Sequence, residues 1–526
     1  MKKLKQNNRI KKVASLCVSL IILLMLSTKI NAQSESTIYL DSTQQVIRGF
    51  GAANIVGWRP DMTTDEINTA FGTGEGQLGF SILRLRIPTD QNSFSINLPS
   101  AQAAHSMGVT LIASPWSPPA SMKTNNSTVA GELKTNSYGD FSLYLKSFAD
   151  YMFNNGAPIY AISVQNEPDV TVTYESCDYN ASQMLKFVQE NAQSIGTKVI
   201  APESYHFDKN LSDPLLNDST ALANFDIVGG HIYGSGLVPY PLAEEKGKEV
   251  WMTEHLTESA HSANVWSLAM DVAIEMQEVM EANMSAYVWW YIVRYYGPIG
   301  DGQSSTSFPN EEFSKKGEVT KKGYVMSQFA RFIRPGYFRV SATSNPQPNV
   351  LITAYKDTSK IVIVAVNQDS SSIEQTFVLQ NGSSTMFTPY VTSETKSCIK
   401  ESDITATDNG FTATLDASSI TTFVSEYLPV SVEKESLIPE SFNLFQNYPN
   451  PFNPITHIIY SIPENSYISL KVYNLLGEEV MTLFEGYKQK GKYEVMFDGS
   501  NLVSGVYLYR LKSNYFSETK KLILLK

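Results

Sequence analysis

Glu249-Val250-Trp251-Met252-Thr253, then residues 264–282, then Ala286-Tyr287-Val288-Trp289-Trp290-Tyr291: the fold reading turns on this stretch. Its two outer pieces are short apolar runs, as buried strands read. In the middle piece Leu268, Val272, Met276 and Val279 recur at helical spacing, which predicts an amphipathic helix. The stretch is therefore a strand–helix–strand unit, and the same alternation extends outward from it. Further strands are expected at 46–52, 80–86, 110–113, 161–165, 198–201 and 227–233, with helices at 141–153 and 181–195 among them.

Eight strand-then-helix units over residues 46–330 are what a (β/α)8 TIM barrel of α/β class needs. A doubly wound open sheet is the competing arrangement, which periodicity alone does not exclude. From 337 the texture changes to short Val-, Ile- and Thr-rich runs separated by Asn and Ser clusters, so 331–428 reads as a packed β-sandwich side domain. Residues 33–45 are expected to add a strand to it. A polar linker, 429–440, leads to a third unit at 441–526, where alternating runs predict a small β-sandwich.

The chain has 526 residues, 42% of them hydrophobic, and 41 basic against 52 acidic residues, a net charge of −11. That length exceeds one compact core, and the composition is neither disordered nor disulfide-stapled. Residues 1–32 hold seven basic residues and no acidic one, with an apolar run over 13–26 and Ile30-Asn31-Ala32 at its end. They read as a secretory signal peptide cut after about Ala32, with an uncleaved N-terminal anchor as the alternative. Its removal leaves 34 basic against 52 acidic residues, or −18. So acidic a chain is a poor nucleic-acid binder. Cys17 leaves with the segment, and whether Cys177 and Cys398 pair stays open.

In a barrel of this kind, polar residues at the C-terminal ends of strands face the active site. The fourth strand ends Ser163-Val164-Gln165-Asn166-Glu167-Pro168, the seventh Trp251-Met252-Thr253-Glu254-His255, and the eighth Trp289-Trp290-Tyr291. Two glutamates at a barrel mouth lined with aromatic rings suit glycoside hydrolysis: one protonates the leaving oxygen while the other attacks the anomeric carbon. A separation of about 5–5.5 Å gives retention, and a wider one admits a water and gives inversion. Asn166 is placed to hydrogen-bond a sugar 2-hydroxyl.

Seven motifs run in order through the barrel: Arg48-Gly49-Phe50-Gly51, Gly79-Phe80-Ser81-Ile82-Leu83-Arg84, Ala113-Ser114-Pro115-Trp116-Ser117-Pro118-Pro119, Val164-Gln165-Asn166-Glu167-Pro168-Asp169, Ala201-Pro202-Glu203-Ser204, His231-Ile232-Tyr233-Gly234 and Trp251-Met252-Thr253-Glu254-His255. With them the region resembles glycoside hydrolase family 30, and within it the subfamily 8 glucuronoxylanases. The resemblance implies a retaining double displacement with Glu167 as acid/base and Glu254 as nucleophile, and a side domain fixed to the barrel. It also implies that Arg294, with Tyr291, Tyr296 and Ser259, binds the carboxylate of a (methyl)glucuronic acid branch on xylan. A guanidinium fork with hydroxyl donors suits a carboxylate; pairing with an acid of the barrel rim is the alternative for Arg294. Three departures stand out: Val170 follows Asn-Glu-Pro-Asp where many relatives have an aromatic residue, the loop 171–179 lacks tryptophan, and Val293 replaces a second Arg.

Trp58, Trp116 and Trp290 are candidate sugar platforms, Tyr233 a candidate partner of Glu254, and Arg84 a candidate support for the nucleophile. His231 and His255 read as hydrogen-bonded scaffold. No metal or other cofactor is expected, since no ligand cluster or phosphate loop has the required spacing. The third unit carries Asn447-Tyr448-Pro449-Asn450-Pro451-Phe452-Asn453-Pro454, Val472-Tyr473-Asn474-Leu475-Leu476-Gly477 and Ser504-Gly505-Val506-Tyr507-Leu508-Tyr509-Arg510. It resembles the C-terminal sorting domain of type IX secretion, which implies that machinery as a partner; a carbohydrate-binding module is the alternative. The expectation is thus a secreted or surface-attached monomeric endo-β-1,4-xylanase acting on glucuronoxylan. A family 30 enzyme for another β-linked glycan, or a non-catalytic carbohydrate-binding barrel, are the other readings.

Overall fold

Strand Ala286–Trp289 pairs in parallel with Gly49–Asn54, Gly49 opposite Ala286 and Ala52 opposite Trp289, and this pairing closes a barrel. The computed structural model describes residues 34–407, 409–429 and 441–525; the expected signal peptide and nearly all of the expected linker lie outside them. The barrel strands follow chain order: Gly49–Asn54, Ile82–Ile87, Thr110–Pro115, Ala161–Ser163, Lys198–Ser204, Ile227–His231, Glu249–His255 and Ala286–Trp289. Each falls on one of the expected runs, and closure excludes the open sheet.

Period-two alternation sorts the strand residues into two layers. Ile82, Ile112, Ala161, Ile200, Ile227, Trp251, Ala286 and Val288 fill the barrel interior. Leu83, Leu85, Ala113, Ile162, Val199 and Met252 face outward into the larger core under the helices. The first two strands approach so closely that a Cβ on Gly51 would lie 1.9 Å from the Ile82 carbonyl oxygen, which restricts the position to glycine.

The first barrel strand begins at Gly49 rather than at the expected Val46. Glu35–Val46 is one 12-residue strand of the side domain, and Val46 pairs with Phe338. The handover occurs at Ile47, whose amide bonds the Tyr337 carbonyl, and Arg48, whose amide bonds that of Ser285. The residues stay apolar-rich across the junction, so nothing local marks it.

Apart from Gly382–Ser383 and Leu428–Pro429, which pair as a small second sheet, the side domain is built on a ten-stranded sheet. Strands distant along it share one core: Phe387 and Phe411 stack at 4.3 Å, and Phe377 lies 4.8 Å from Phe411. The sheet is thus doubled over, and its two layers make the sandwich. Its other face, including Tyr355, Val362, Val364 and Ile420, joins the barrel core. It packs on helices Trp266–Glu281 and Lys321–Ala330, with Gln277 donating to the Val364 carbonyl and Thr422 to that of Gln328. Cys177 and Cys398 are separate, buried thiols.

Residues 430–526 form a second compact unit. Its described part holds a three-stranded sheet (Asn443–Leu444, Ile455–Ile462, Gly491–Asp498) and a four-stranded one (Ser466–Tyr473, Glu479–Lys488, Gly505–Lys512, Ser517–Leu524). Ile458, Leu470, Val472, Phe497, Tyr509 and Leu522 close a core between them. No described helix is long and apolar enough to cross a membrane.

Candidate active site

Strict alternation would not bring all the charged residues to the barrel mouth. Ile82 and Arg84, two apart, both point inward by regular pleating. Trp251 and Glu254 also both face the interior, yet stand three apart, as do Ile200 and Glu203. The register slips between Met252 and His255 and between Pro202 and Ser204 supply the extra residue. Such bulges re-aim side chains next to active sites. Glu167 and Glu203 themselves adopt left-handed backbone conformations, φ +47° and +59°, each costing on the order of 1 kcal/mol or more in a non-glycine residue. The Glu167 amide bonds the Glu203 carbonyl at 3.0 Å, tying the two strand ends together.

Glu167 and Glu254 are both buried, 5% and 6% exposed, with a carboxylate oxygen of one within 4.8 Å of a carboxylate oxygen of the other. Glu254 accepts from Arg84 Nη1 at 2.5 Å and from the Tyr233 hydroxyl at 2.9 Å. Glu167 contacts His231 Nδ1 at 3.0 Å and accepts from the Tyr174 hydroxyl at 3.3 Å. Arg84 Nη2 donates to Asn166 Oδ1 at 2.6 Å, which leaves the Asn166 amide NH2 as the end offered to a ligand.

Beneath the pair lies a fully buried set of charges. Arg84 Nη2 also bonds Glu203 at 3.1 Å, and His231 Nε2 lies 3.8 Å from Glu203. Burial works to raise the Glu203 carboxyl, but Arg84 and His231 overcome it and hold it at about 2. For His231 burial opposes the charge, yet Glu254, Glu167 and Glu203 lift it to about 9. Burial pushes the Glu254 carboxyl upward, with His231 and Arg84 pulling against it. Burial and the Glu254 charge raise the Tyr233 hydroxyl well above its ordinary value, so it stays a donor. Glu167, His231 and Glu254 are near enough to one another to hold a cation. A protonated imidazolium, however, presents an N–H to that space rather than a lone pair. Asp169, His206 and Asp208 are similarly close, but Asp169 already accepts from the Tyr205 amide and Asp208 caps a helix through the Asn210 amide.

The geometry finds its counterpart among known proteins. The family model described as glycosyl hydrolase family 30 TIM-barrel domain matches residues 67–211. Glucuronoxylanase XynC of Bacillus subtilis strain 168 is 42% identical over 434 residues, covering 79% of this chain and 99% of its own. The chain belongs to glycoside hydrolase family 30. Two solved structures agree: a GH30 endoxylanase from Clostridium papyrosolvens C71 (39% identical, TM-score 0.66) and the subfamily 8 xylanase Xyn30A from Clostridium acetobutylicum (38%, 0.67), each covering 75% of this chain and 100% of its own. Residues 446–525 match the secretion system C-terminal sorting domain. The second unit is therefore a type IX sorting domain, which directs the protein to the cell surface or beyond it.

As a family 30 enzyme the chain is a retaining glycoside hydrolase, and the close approach of its two carboxyls suits a direct attack that leaves no room for an intervening water. An aromatic rim surrounds the pair. Trp58, 46% exposed, stands edge-on to Trp116, Tyr174 and Trp290 at 6.2, 6.0 and 5.7 Å. Trp116 lies over the Arg84 guanidinium at 4.9 Å and is 5.9 Å from Trp290. The Arg294 guanidinium lies 5.2 Å from the Tyr296 ring and 5.5 Å from that of Tyr295. Tyr291 is buried instead, its hydroxyl donating to the Ile55 carbonyl and accepting from the Ile55 amide, both at 3.0 Å. Ser259 is exposed, and its carbonyl accepts from the Tyr295 hydroxyl at 2.8 Å. Sequence reasoning gave no role to Glu203 or Tyr174 and left His231 as scaffold. Glu203 carries the same signal as Glu167 and Glu254, a carboxylate at the end of a barrel strand. Tyr174 sits in an irregular loop and carries none.

Proposed function

We propose that this enzyme is a secreted endo-β-1,4-xylanase that hydrolyses glucuronoxylan, with Arg294 receiving the carboxylate of a (methyl)glucuronic acid branch. The observation that carries the reading is Arg294 itself, a partly exposed guanidinium set against the Tyr296 ring a few residues beyond Trp290 of the aromatic rim. Its similarity to glucuronoxylanases and family 30 xylanases supports it. After loss of the signal peptide the chain is strongly acidic and repels a polyanion at long range, so a local cation is what lets it hold an acidic branch.

In the reaction Glu167 gives its proton to the leaving xylosyl oxygen while Glu254 attacks the anomeric carbon, forming a glycosyl ester. The Asn166 amide NH2 donates to the sugar 2-hydroxyl, and Arg84 and Tyr233 stabilise the Glu254 carboxylate as it leaves again. Glu167 then takes a proton from water, which attacks the ester and restores the site. Tyr174 and His231 hold Glu167 in place through both halves.

Mass spectrometry of products from glucuronoxylan tests the proposal. Each product is expected to carry one uronic acid at a fixed position relative to the new reducing end. A ladder of unbranched products unrelated to the branches would overturn it.

A further inference from the structure

Asp301 is shared by two arginines that come from different loops. Arg59 Nη2 lies 2.7 Å from its Oδ2, and Arg294 Nη1 lies 3.5 Å from the same oxygen. The aspartate side chain is 2% exposed, while those of Arg59 and Arg294 are 21% and 24% exposed. One buried carboxylate thus faces two partly exposed guanidinium groups, and the trio carries one positive charge more than it neutralises.

Asp61, Glu66 and Lys316 line a cavity of about 250 Å³ together with Arg59 and Asp301. Asp61 accepts from the Met62 and Ser100 amides, and Glu66 Oε2 from the Thr63 amide at a helix start, so both are held in place by the backbone. Arg59 also follows directly on Trp58, the most exposed ring of the cleft rim, so its main chain borders the sugar platform.

We propose that Arg59 is a second specificity-determining residue, which with Arg294 forms a two-guanidinium seat for the carboxylate of one uronic acid branch. Asp301 is the positioning residue between them: it relieves the repulsion of the two cations and, being buried, keeps both forks turned to solvent. A single carboxylate brings the single negative charge the trio lacks, and its two oxygens accept one charge-assisted bond from each arginine. This rests on the reading of Arg294 as the branch anchor and extends it to a residue of another loop.

The test compares kcat/KM on a xylo-oligosaccharide bearing one glucuronic acid with kcat/KM on its unbranched counterpart. Wild type, Arg59→Gln, Arg59→Lys and Arg294→Ala are measured side by side. In Arg59→Gln the branched-to-unbranched ratio is expected to fall about tenfold, chiefly through KM on the branched substrate, and Arg59→Lys to recover most of it. Equal losses on both substrates in Arg59→Gln would overturn the inference, since Arg59 would then only brace the Trp58 loop. A ratio that collapses in Arg294→Ala but holds in Arg59→Gln overturns it while leaving the Arg294 reading intact. A wild type without preference for the branched substrate overturns both.

Discussion

Arg84 Nη1 donates to Glu254 Oε2 across 2.5 Å from a side chain wholly out of contact with solvent. The same guanidinium reaches Asn166 and Glu203 with its other terminal nitrogen. One planar fork thereby sets Glu254, the Asn166 amide and the buried Glu203 carboxylate in a single geometry. A lysine ammonium has neither the plane nor the reach to do this. Arg84→Lys should therefore lower kcat by about a hundredfold, the scale seen when one preorganised donor is lost. It should also destabilise the fold by roughly 3–5 kcal/mol, because Glu203 is left buried without its fork. Steady-state kinetics and denaturant unfolding measure the two effects; kcat within a few-fold of wild type would refute the positioning role.

The two carboxyls predict distinct chemistry when either is removed. Glu254→Ala deletes the nucleophile, and added azide should restore turnover by occupying its place, giving a glycosyl azide of inverted configuration. Glu167→Ala deletes the acid/base, so an activated aryl xyloside should form the ester and stall there. Azide should then release a product of retained configuration from that ester. Proton NMR of the anomeric signals distinguishes the outcomes, and the same configuration from both variants would reverse or void the assignment of roles.

His231 makes fold stability depend on alkaline pH. Its folded value, about 9, lies above its ordinary 6.5, so the native state holds its proton more tightly than the unfolded chain does. That contribution is fully present below about pH 6.5 and is lost as pH rises through about 9. Melting temperature should accordingly fall over this window in wild type and change less in His231→Gln. Glu203 acts in the opposite sense: held at about 2 against an ordinary 4.5, it stabilises above pH 4.5 and ceases to do so as pH falls toward 2. Parallel alkaline slopes for wild type and His231→Gln would show that other groups carry the dependence.

Barrel strands were legible because each is a short apolar run between polar turns, and the strand-end rule alone singled out Glu167 and Glu254. Their inward aim was not legible. Glu254 enters the site through a slip of register that depends on the neighbouring strand, and no property of Trp251-Met252-Thr253-Glu254 announces it. Glu203 shares the signature of Glu167 and Glu254, yet a rule that looks for two acids stops when it has two. Tyr174, and the meeting of Arg59 with Arg294 on Asp301, join loops far apart in the chain; period and propensity carry no information about such contacts. The sandwich was readable as strands, but the doubling over of its ten-stranded sheet follows from which strands pair, a non-local matter.

Every residue of the site lies in the unit that ends at Pro429, and the unit from Val430 onward closes its own core from Ile458, Leu470, Val472, Phe497 and Tyr509. Two independent cores predict two independent unfolding events and a catalytic part indifferent to loss of the other. A chain truncated after Pro429 should hydrolyse glucuronoxylan with kcat/KM unchanged within error. The full chain should lose one calorimetric transition on truncation while the other keeps its temperature. Without its sorting domain the truncated enzyme should also fail to reach the culture medium or the cell surface, accumulating inside the outer membrane of a host that secretes the full chain. Fractionation with an activity assay reads this directly. A truncated enzyme found outside the cell in wild-type amount would mean that the C-terminal unit is not what addresses the protein for export.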